Sequence, residues 1–203
     1  MPRAALHLDV PAHLAQGQIV GASVEVFTRL GFAATRVEDL LAAAGIARRT
    51  FYKYFRSKEE VLAAVYELAT GELLKAIRGG VTGGVGTSHA QGPLDAMRTA
   101  LDVYLDYHVD NAPLLRVLVE QAIRSDSPLA PLRRRFRGEV VALMAEGVRA
   151  STGQTHDPML YAALLSALEG LSLDLLAAGS PPSDVRRAKR VMHELLAKCL
   201  SPA

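Results

Sequence analysis

The chain has 203 residues, a formal net charge of +2 and one cysteine, which excludes an internal disulfide framework, a cysteine-rich zinc site and a histone-like polycation. Half of the residues are hydrophobic and 5% are aromatic, which excludes wholesale disorder and favours helices, because alanine and leucine form helices well while strands favour β-branched and aromatic side chains. The length suits one or two domains.

Apolar residues recur at helical spacing from the start of the chain, and no strand-like alternation persists. A first helix is expected over 19–30. A second is expected over 35–44, because Thr35 and Glu38 have the spacing of a capping box and Gly45 can end the helix.

Two further helices are expected before the glycine-rich stretch that begins at residue 79. A short one covers 47–54. A long one covers 57–78, where Ser57 and Glu60 repeat the capping-box spacing. By the standard rise, the long helix is a rod of about 33 Å.

Six glycines fall within residues 79–92, which predicts a flexible loop and a domain boundary. No Gly-Lys-Ser/Thr follows, so a phosphate-binding loop is not expected. We therefore predict a helix-turn-helix domain over 1–56, a connecting helix, the loop and a C-terminal domain over 93–203. Its helices are expected over 93–110, 113–124, 128–151, 158–178 and 183–200.

The most apolar stretch, 159–178, is long enough to span a membrane, but it contains Glu169 and Asp174. A central carboxylate costs roughly 2.5 to 3.5 kcal/mol on insertion. We interpret the stretch as a buried or interface helix, and we expect a soluble, cytoplasmic protein with no membrane partner and no targeting segment.

The third predicted helix is basic and carries the strongest functional signal. Phe51 and Phe55 lie four residues apart and can face the core together. The other face then suits a recognition helix in a DNA major groove. Residues 46–58 contain no acidic residue. The alternative to a recognition helix is an ordinary basic helix face that is exposed to solvent. The basic residues are Arg48, Arg49, Lys53, Arg56 and Lys58, with Thr50, Tyr52 and Tyr54 between them.

Each candidate DNA-binding residue has a role that its chemistry suggests. Arg48 and Arg49 can read guanine, and Thr50 can touch a base or a thymine methyl. The starts of the second and fourth helices offer backbone N–H groups to phosphates. The phosphate candidates are Tyr52, Lys53, Tyr54 and Lys58, with Thr35 and Arg36 at the start of the second helix.

One run of residues carries a family resemblance. It is Gly31-Phe32, Thr35, Val37-Glu38-Asp39-Leu40, Ala44-Gly45-Ile46 and Thr50-Phe51-Tyr52-Lys53-Tyr54-Phe55-Arg56-Ser57-Lys58-Glu59-Glu60. With this run, residues 19–68 resemble the TetR (tetracycline-repressor-like) family of bacterial regulators.

The resemblance implies an all-α homodimer that binds a palindromic operator, usually represses, and is released by a small ligand in its C-terminal domain. It also matches DNA-contacting positions to Thr35, Arg48, Thr50, Tyr52, Lys53, Tyr54 and Lys58. Leu41 departs from the family pattern, which usually has a small alanine there.

The last two helices are expected to form a dimer interface, because both carry long apolar surfaces. The alternative is that they only close the core of the monomer. In the final helix the apolar stripe contains Val185, Ala188, Val191, Met192, Leu195, Leu196, Cys199 and Leu200.

Polar and aromatic residues on apolar helix faces are the candidates for a ligand pocket. Each of them also suits an ordinary core position, and methionines can simply fill gaps. The candidates are Tyr104, His108, Phe136, Met144, Tyr161 and Glu169.

We expect no metal, cofactor or catalytic site from the remaining clusters of charged residues. Asp102, Asp106 and Asp110 lie near His108, but such a face is usually solvated, and Arg98 can pair with Asp102. The basic run at 133–137 is interpreted as a solvated face. No nucleophile motif is present, so we predict a regulator and no enzyme. A ligand-independent architectural DNA-binding protein is the alternative.

Overall fold

The computed structural model describes residues 15–83 and 94–200, and within these ranges the chain forms nine α-helices and no strand. This confirms the all-α prediction. The helices are α1 (Ala15–Leu30), α2 (Val37–Ala44), α3 (Arg48–Tyr54), α4 (Lys58–Gly83), α5 (Asp95–Asp110), α6 (Ala112–Ala122), α7 (Ala130–Thr152), α8 (Pro158–Ala177) and α9 (Pro182–Leu200).

The helices form two compact units. The first contains residues up to Glu72 together with Asn111–Arg133, and the second contains Leu73–Asp110 and the residues from Arg134 onward. In the first unit α6 packs on α1, whereas the sequence placed α6 in the C-terminal domain. The functional domain boundaries at 56, 78 and 92 stay predictions.

In the first unit α1 packs against α2 and α3 as well as α6. Its core is formed by the apolar sides of these amphipathic helices, which bury Ile19, Phe27, Leu40, Phe51 and Phe55. This arrangement leaves the opposite face of α3 at the surface.

The turn between α2 and α3 is made by Gly45, as the sequence predicts. Gly45 has φ +63°, in the left-handed region, and the Ile46 amide donates to the Leu41 carbonyl at 3.2 Å. The start of α2 differs from the prediction. The Arg36 amide donates to the Asp39 carboxylate at 2.8 Å, so the proposed Thr35–Glu38 capping box is wrong.

The start of α4 agrees with the sequence more closely than its end. The Glu60 amide donates to the Ser57 hydroxyl at 3.4 Å, and the Glu60 carboxylate accepts from the Arg56 amide at 2.8 Å. The helix continues to Gly83, past the predicted end at residue 78. Adding a glycine to an existing helix costs only about 1 kcal/mol relative to alanine, so three glycines of the predicted loop are helical. The rest of that loop, 84–92, lies outside the described residues.

The second unit has one large apolar core. Within it α5 packs on α8 and α9, and α8 packs on α9. The core contains five residues of the predicted α9 stripe, namely Val185, Ala188, Met192, Leu196 and Leu200. Most of that stripe therefore closes the core of the unit.

Helix α8 is long and apolar enough to cross a membrane by length and composition, and this is weak evidence for a span. Fewer than half of its residues are buried inside the chain. Much of its apolar surface is thus available for a protein–protein contact.

Candidate nucleic-acid interface and ligand cavity

Helix α3 carries the candidate nucleic-acid interface. Phe51 and Phe55 point into the core with ring centroids 6.0 Å apart, which fixes the rotation of the helix. Thr50 is half-buried. The residues left exposed, which we call the recognition face, are Arg48, Arg49, Tyr52, Lys53 and Tyr54.

The two arginines of the recognition face have different environments. Arg48 Nη1 donates to Glu38 Oε1 at 2.7 Å, and its guanidinium lies 5.6 Å from the centroid of the Tyr52 ring. Tyr52 and then Glu38 raise the pKa of Arg48. Arg49 has no side-chain partner within the described ranges, so its five N–H donors remain available.

Lys58 holds the turn before α2. Its Nζ donates to the carbonyls of Thr35 at 2.8 Å, Phe32 at 2.9 Å and Ala33 at 3.3 Å, and it lies 4.6 Å from the centroid of the Phe32 ring. An ammonium group has three N–H donors, and three carbonyls already receive them. A direct phosphate contact by Lys58, as the sequence suggested, would have to compete with these bonds.

The other two candidates at the start of α2 differ in exposure. The Thr35 side chain is 1% exposed, and its hydroxyl donates to the Gly31 carbonyl at 2.7 Å. Arg36 is exposed. Of these two side chains, only that of Arg36 lies at the surface in position to meet a ligand.

A cavity of about 360 Å³ lies within the second unit. Its wall is mostly aliphatic, and two of the predicted ligand-binding residues, Tyr104 and Met144, line it. The charged lining residues are Arg78 and Glu146. The other lining residues are Ile77, Ala96, Met97, Ala100, Leu101, Val140, Leu143, Gly147, Ala150, Leu164, Leu168, Met192 and Leu196.

Two further candidates, His108 and Phe136, are buried but do not line this cavity. The His108 ring stacks on Tyr104 with centroids 4.3 Å apart, and its Nδ1 donates to the Tyr104 carbonyl at 2.8 Å. Burial lowers the pKa of His108 to about 4, against a smaller opposing effect of that hydrogen bond. His108 is therefore neutral at physiological pH.

The remaining two candidates also lie elsewhere. Tyr161 lines a second pocket of about 410 Å³, with Ala145, Glu146, Arg149, Thr155 and His156. Glu169 is largely buried in an ion pair with Arg137, which also donates to the Ser166 hydroxyl at 2.9 Å. Glu169 is thus committed to holding α8 against α7 and lines neither space.

Two aspartates of the acidic row on α5 are bound to side chains of α9. His193 Nε2 lies 2.9 Å from Asp102, and Lys189 Nζ lies 2.8 Å from Asp106. The predicted Arg98–Asp102 pair is wrong, because Arg98 pairs with Asp95. No group of three metal-ligating side chains is found within residues 15–83 and 94–200.

Sequence reasoning missed most of the cavity lining and two polar residues of the second pocket. Leu101, Val140 and Leu164 look like ordinary core residues, and no sequence signal separates a core position from a cavity wall. His156 and Arg149 had a weak signal, as polar residues close to the start of the most apolar helix.

Comparison with known proteins finds a family match within the first unit. The model for bacterial regulatory proteins of the tetR family matches residues 19–65. The fatty acid metabolism regulator protein of Bacillus subtilis is 33% identical over 58 residues, which are 29% of this chain and 30% of that protein. This chain thus matches under a third of the length of such curated relatives.

Solved structures share the fold over nearly the whole chain. The TetR family transcriptional regulator PfmR from Thermus thermophilus is 26% identical with a TM-score of 0.61, and the match covers 91% of this chain and 99% of that one. The fatty acid degradation regulator FadR from Bacillus halodurans has 19% identity and a TM-score of 0.71, covering 93% and 97%.

These relatives are transcriptional regulators, in agreement with the prediction that the protein is no enzyme. The matched segment covers most of α1, all of α2 and α3, and the start of α4. In helix-turn-helix proteins the second helix of the motif enters the major groove. Residues 19–65 therefore form a DNA-binding domain of the tetR family, and the chain shares the fold of TetR-family transcriptional regulators, which supports a DNA-binding regulator.

Proposed function

We propose that the protein is a homodimeric repressor that binds a palindromic operator and leaves it when a small, mostly apolar molecule occupies the cavity of the second unit. The observation that carries the proposal is the presence, in one chain, of an exposed basic recognition face and an apolar cavity of about 360 Å³. A ligand-independent architectural protein, the alternative, has no use for such a cavity.

Within the recognition face, we assign some residues to base contacts and others to phosphate contacts. Arg49 has free donors for bidentate readout of guanine, and Arg48 joins it if Glu38 is displaced. Thr50 touches a base. Lys53, Tyr52 and Tyr54 contact phosphates, together with Arg36. Thr35 and Lys58 act by holding the turn that sets the start of α2.

The cavity wall supports an apolar ligand, because most of its side chains are aliphatic. Tyr104 adds an aromatic ring, and Met144 adds a flexible side chain that can adjust to the shape of a ligand. Two relatives are named for fatty acid metabolism and fatty acid degradation. We therefore place an aliphatic chain among the first ligands to test. His108 stacks on Tyr104 of the wall, and Phe136 lies in the apolar core of the same unit.

Helix α4 is the proposed connection between ligand and DNA. It is continuous over 26 residues, roughly 39 Å by the standard rise. Its residues Ile77 and Arg78 line the cavity, and Lys58 at its other end holds the turn before α2. Two recognition helices must lie about 34 Å apart to dock on successive turns of DNA, so a ligand that moves α4 by a few ångströms prevents docking.

Helices α8 and α9 support the homodimer. Met159 on α8 and Val191 on α9 are 76% and 46% exposed, and such large apolar side chains favour burial against a second copy. We place the protein in the cytoplasm, where its DNA is.

The test of this proposal begins with selection of duplexes from a random DNA pool by the purified protein. We expect a palindromic consensus with half-sites about one helical turn apart. The selected duplex is then titrated with saturated carboxylates and with other apolar metabolites, and bound DNA is followed by anisotropy. Selection without any consensus, or a consensus complex that no apolar molecule releases, contradicts the proposal.

A further inference from the structure

The Tyr161 side chain is buried without a partner for its polar atom. It is 1% exposed, and its hydroxyl makes no hydrogen bond to any residue within the described ranges. The hydroxyl of a buried tyrosine usually finds a hydrogen-bond partner. His156 Nε2 is likewise buried and without a partner, and the two rings meet edge to face with centroids 6.1 Å apart.

Both residues line the second pocket, and their unpartnered polar atoms lie buried next to it. Besides Tyr161 and His156, the wall contains the Thr155 hydroxyl and the Arg149 guanidinium, which has no ion-pair partner in the part of the chain that the structure describes. Glu146 is the single acidic lining residue, and it is exposed, so water screens its charge.

This pocket lies beside the apolar cavity. Glu146 lines both spaces. On α8, Tyr161 lines the polar pocket and Leu164, one helical turn later, lines the cavity. One elongated molecule can therefore place its polar end near Tyr161 and its apolar part against Leu164.

We propose that the pocket around Tyr161, His156 and Arg149 binds the carboxylate of an amphiphilic ligand whose aliphatic part occupies the apolar cavity. This rests on the proposed function, in which a ligand fills that cavity. A carboxylate has only acceptor oxygens, which suits the O–H donor of Tyr161, an N–H donor of His156 and the cation of Arg149. Hydrogen bonds to a charged group are stronger than neutral ones.

The experiment compares dodecanoate with dodecanol by calorimetry on the full-length protein. Both have the same aliphatic chain, and only dodecanoate has a charge for Arg149. We expect wild-type protein to bind dodecanoate about tenfold more tightly, and Tyr161→Phe, which removes one oxygen, to weaken dodecanoate by about tenfold. Arg149→Gln, a substitution at an exposed position where folding tolerates the change, should abolish the preference for dodecanoate.

Tyr107→Phe is the matched control, because Tyr107 is half-buried on α5 and lines neither space. Equal binding of the two amphiphiles, no binding of dodecanoate, or unchanged affinity in Tyr161→Phe would overturn the inference. If dodecanol binds and releases operator DNA as well as dodecanoate does, the subsite is wrong and the proposed function stands. If dodecanoate binds through Tyr161 but never releases DNA, the subsite stands and the proposed function is wrong.

Discussion

Arg48 and Arg49 are neighbours in the sequence, and the structure gives them different partners. Arg48 is held by Glu38 and lies over Tyr52, whereas Arg49 has no partner among the residues described. Because docking on DNA need not break any bond of Arg49, we assign it the larger share of base readout.

Arg49→Ala is expected to cost roughly 1 to 3 kcal/mol on the best site and to relax sequence preference at one position per half-site. Arg48→Ala should cost less, because freeing Arg48 breaks its ion pair with Glu38. Binding is measured by anisotropy on the selected operator and on single-base variants.

Lys53→Ala serves as the control for this prediction, since Lys53 lies on the same exposed face and is assigned to phosphate. It should weaken all sequences alike and lower the salt slope by about one. If Arg49→Ala leaves base preference unchanged, the placement of the recognition helix is wrong.

We expect Lys58 to affect DNA binding through the structure of the turn before α2. Since its three donors go to the carbonyls of Phe32, Ala33 and Thr35, Lys58→Met should destabilise the fold by about 1 to 3 kcal/mol and weaken operator binding. The salt slope should stay unchanged. A slope that falls by one with stability unaffected would instead support the direct phosphate contact suggested by the sequence.

His108 links stability to pH. Its pKa is lowered from 6.5 to about 4 in the folded chain, so between these values the unfolded chain binds a proton that the folded chain does not. The free energy of unfolding should therefore fall as pH drops from 6.5 to 4, by roughly 3 kcal/mol for this residue. His108→Gln should flatten that part of the curve, measured by urea unfolding at several pH values. Parallel curves for the two proteins would contradict the assignment.

At the scale of helices, the sequence predicts well what depends on local spacing. The end of α2 at Gly45 follows from a glycine that tolerates a positive φ, and α3 follows from the spacing of Phe51 and Phe55. The N-cap of α2 was predicted one residue too early, at Thr35 instead of Arg36, because the capping acceptor is Asp39 and both acidic side chains in that turn fit the pattern.

The cavity is harder to predict, because its lining depends on which faces of several helices meet. His108 and Phe136 have the right character but face the core, while Leu164 and Leu168 have no distinguishing character and line the cavity. Periodicity gives the apolar side of a helix and says nothing of how closely its partners approach.

We expect the exposed side of α8 to form part of the homodimer interface. Ala163, Ala167 and Gly170 are exposed at steps of four and three residues, which lets two helices approach closely. Ala167→Arg should give a monomer at micromolar concentration with much weaker operator binding, measured by sedimentation and anisotropy. Ala142→Arg, at an exposed alanine of α7, is the matched control and should leave the dimer intact.

Substitution of Leu196, which the apolar stripe of α9 suggested as an interface position, cannot test assembly. Leu196 is 1% exposed and lines the cavity, so a charge there would disrupt the core of the second unit. Leu195 is half-buried against the same core, so a charge there would also disturb packing within the unit. A wild-type protein that sediments as a monomer would contradict the proposed dimer directly.

At the scale of the molecule, the two units carry different proposed sites, and this predicts a coupling free energy between ligand binding and operator binding. One unit carries the recognition face and the other encloses the cavity. If ligand and operator oppose each other, their coupling free energy must be the same from either side, and about 1 to 3 kcal/mol is typical of such switches. Operator DNA should therefore weaken ligand binding by the same factor by which the ligand weakens operator binding.

Two titrations measure this reciprocity, with dodecanoate as the first ligand. Calorimetry gives its affinity with and without saturating operator, and anisotropy gives the operator affinity with and without dodecanoate. Met144 lines the cavity, and the larger side chain in Met144→Trp should occupy part of it. This variant should lose the effect of operator on ligand affinity and the effect of ligand on operator affinity, and it should keep the operator affinity measured without ligand. Equal ligand affinities in the presence and absence of operator would eliminate the allosteric mechanism, even for a ligand that binds tightly, because a ligand shifts an equilibrium only by its difference in affinity for the two states.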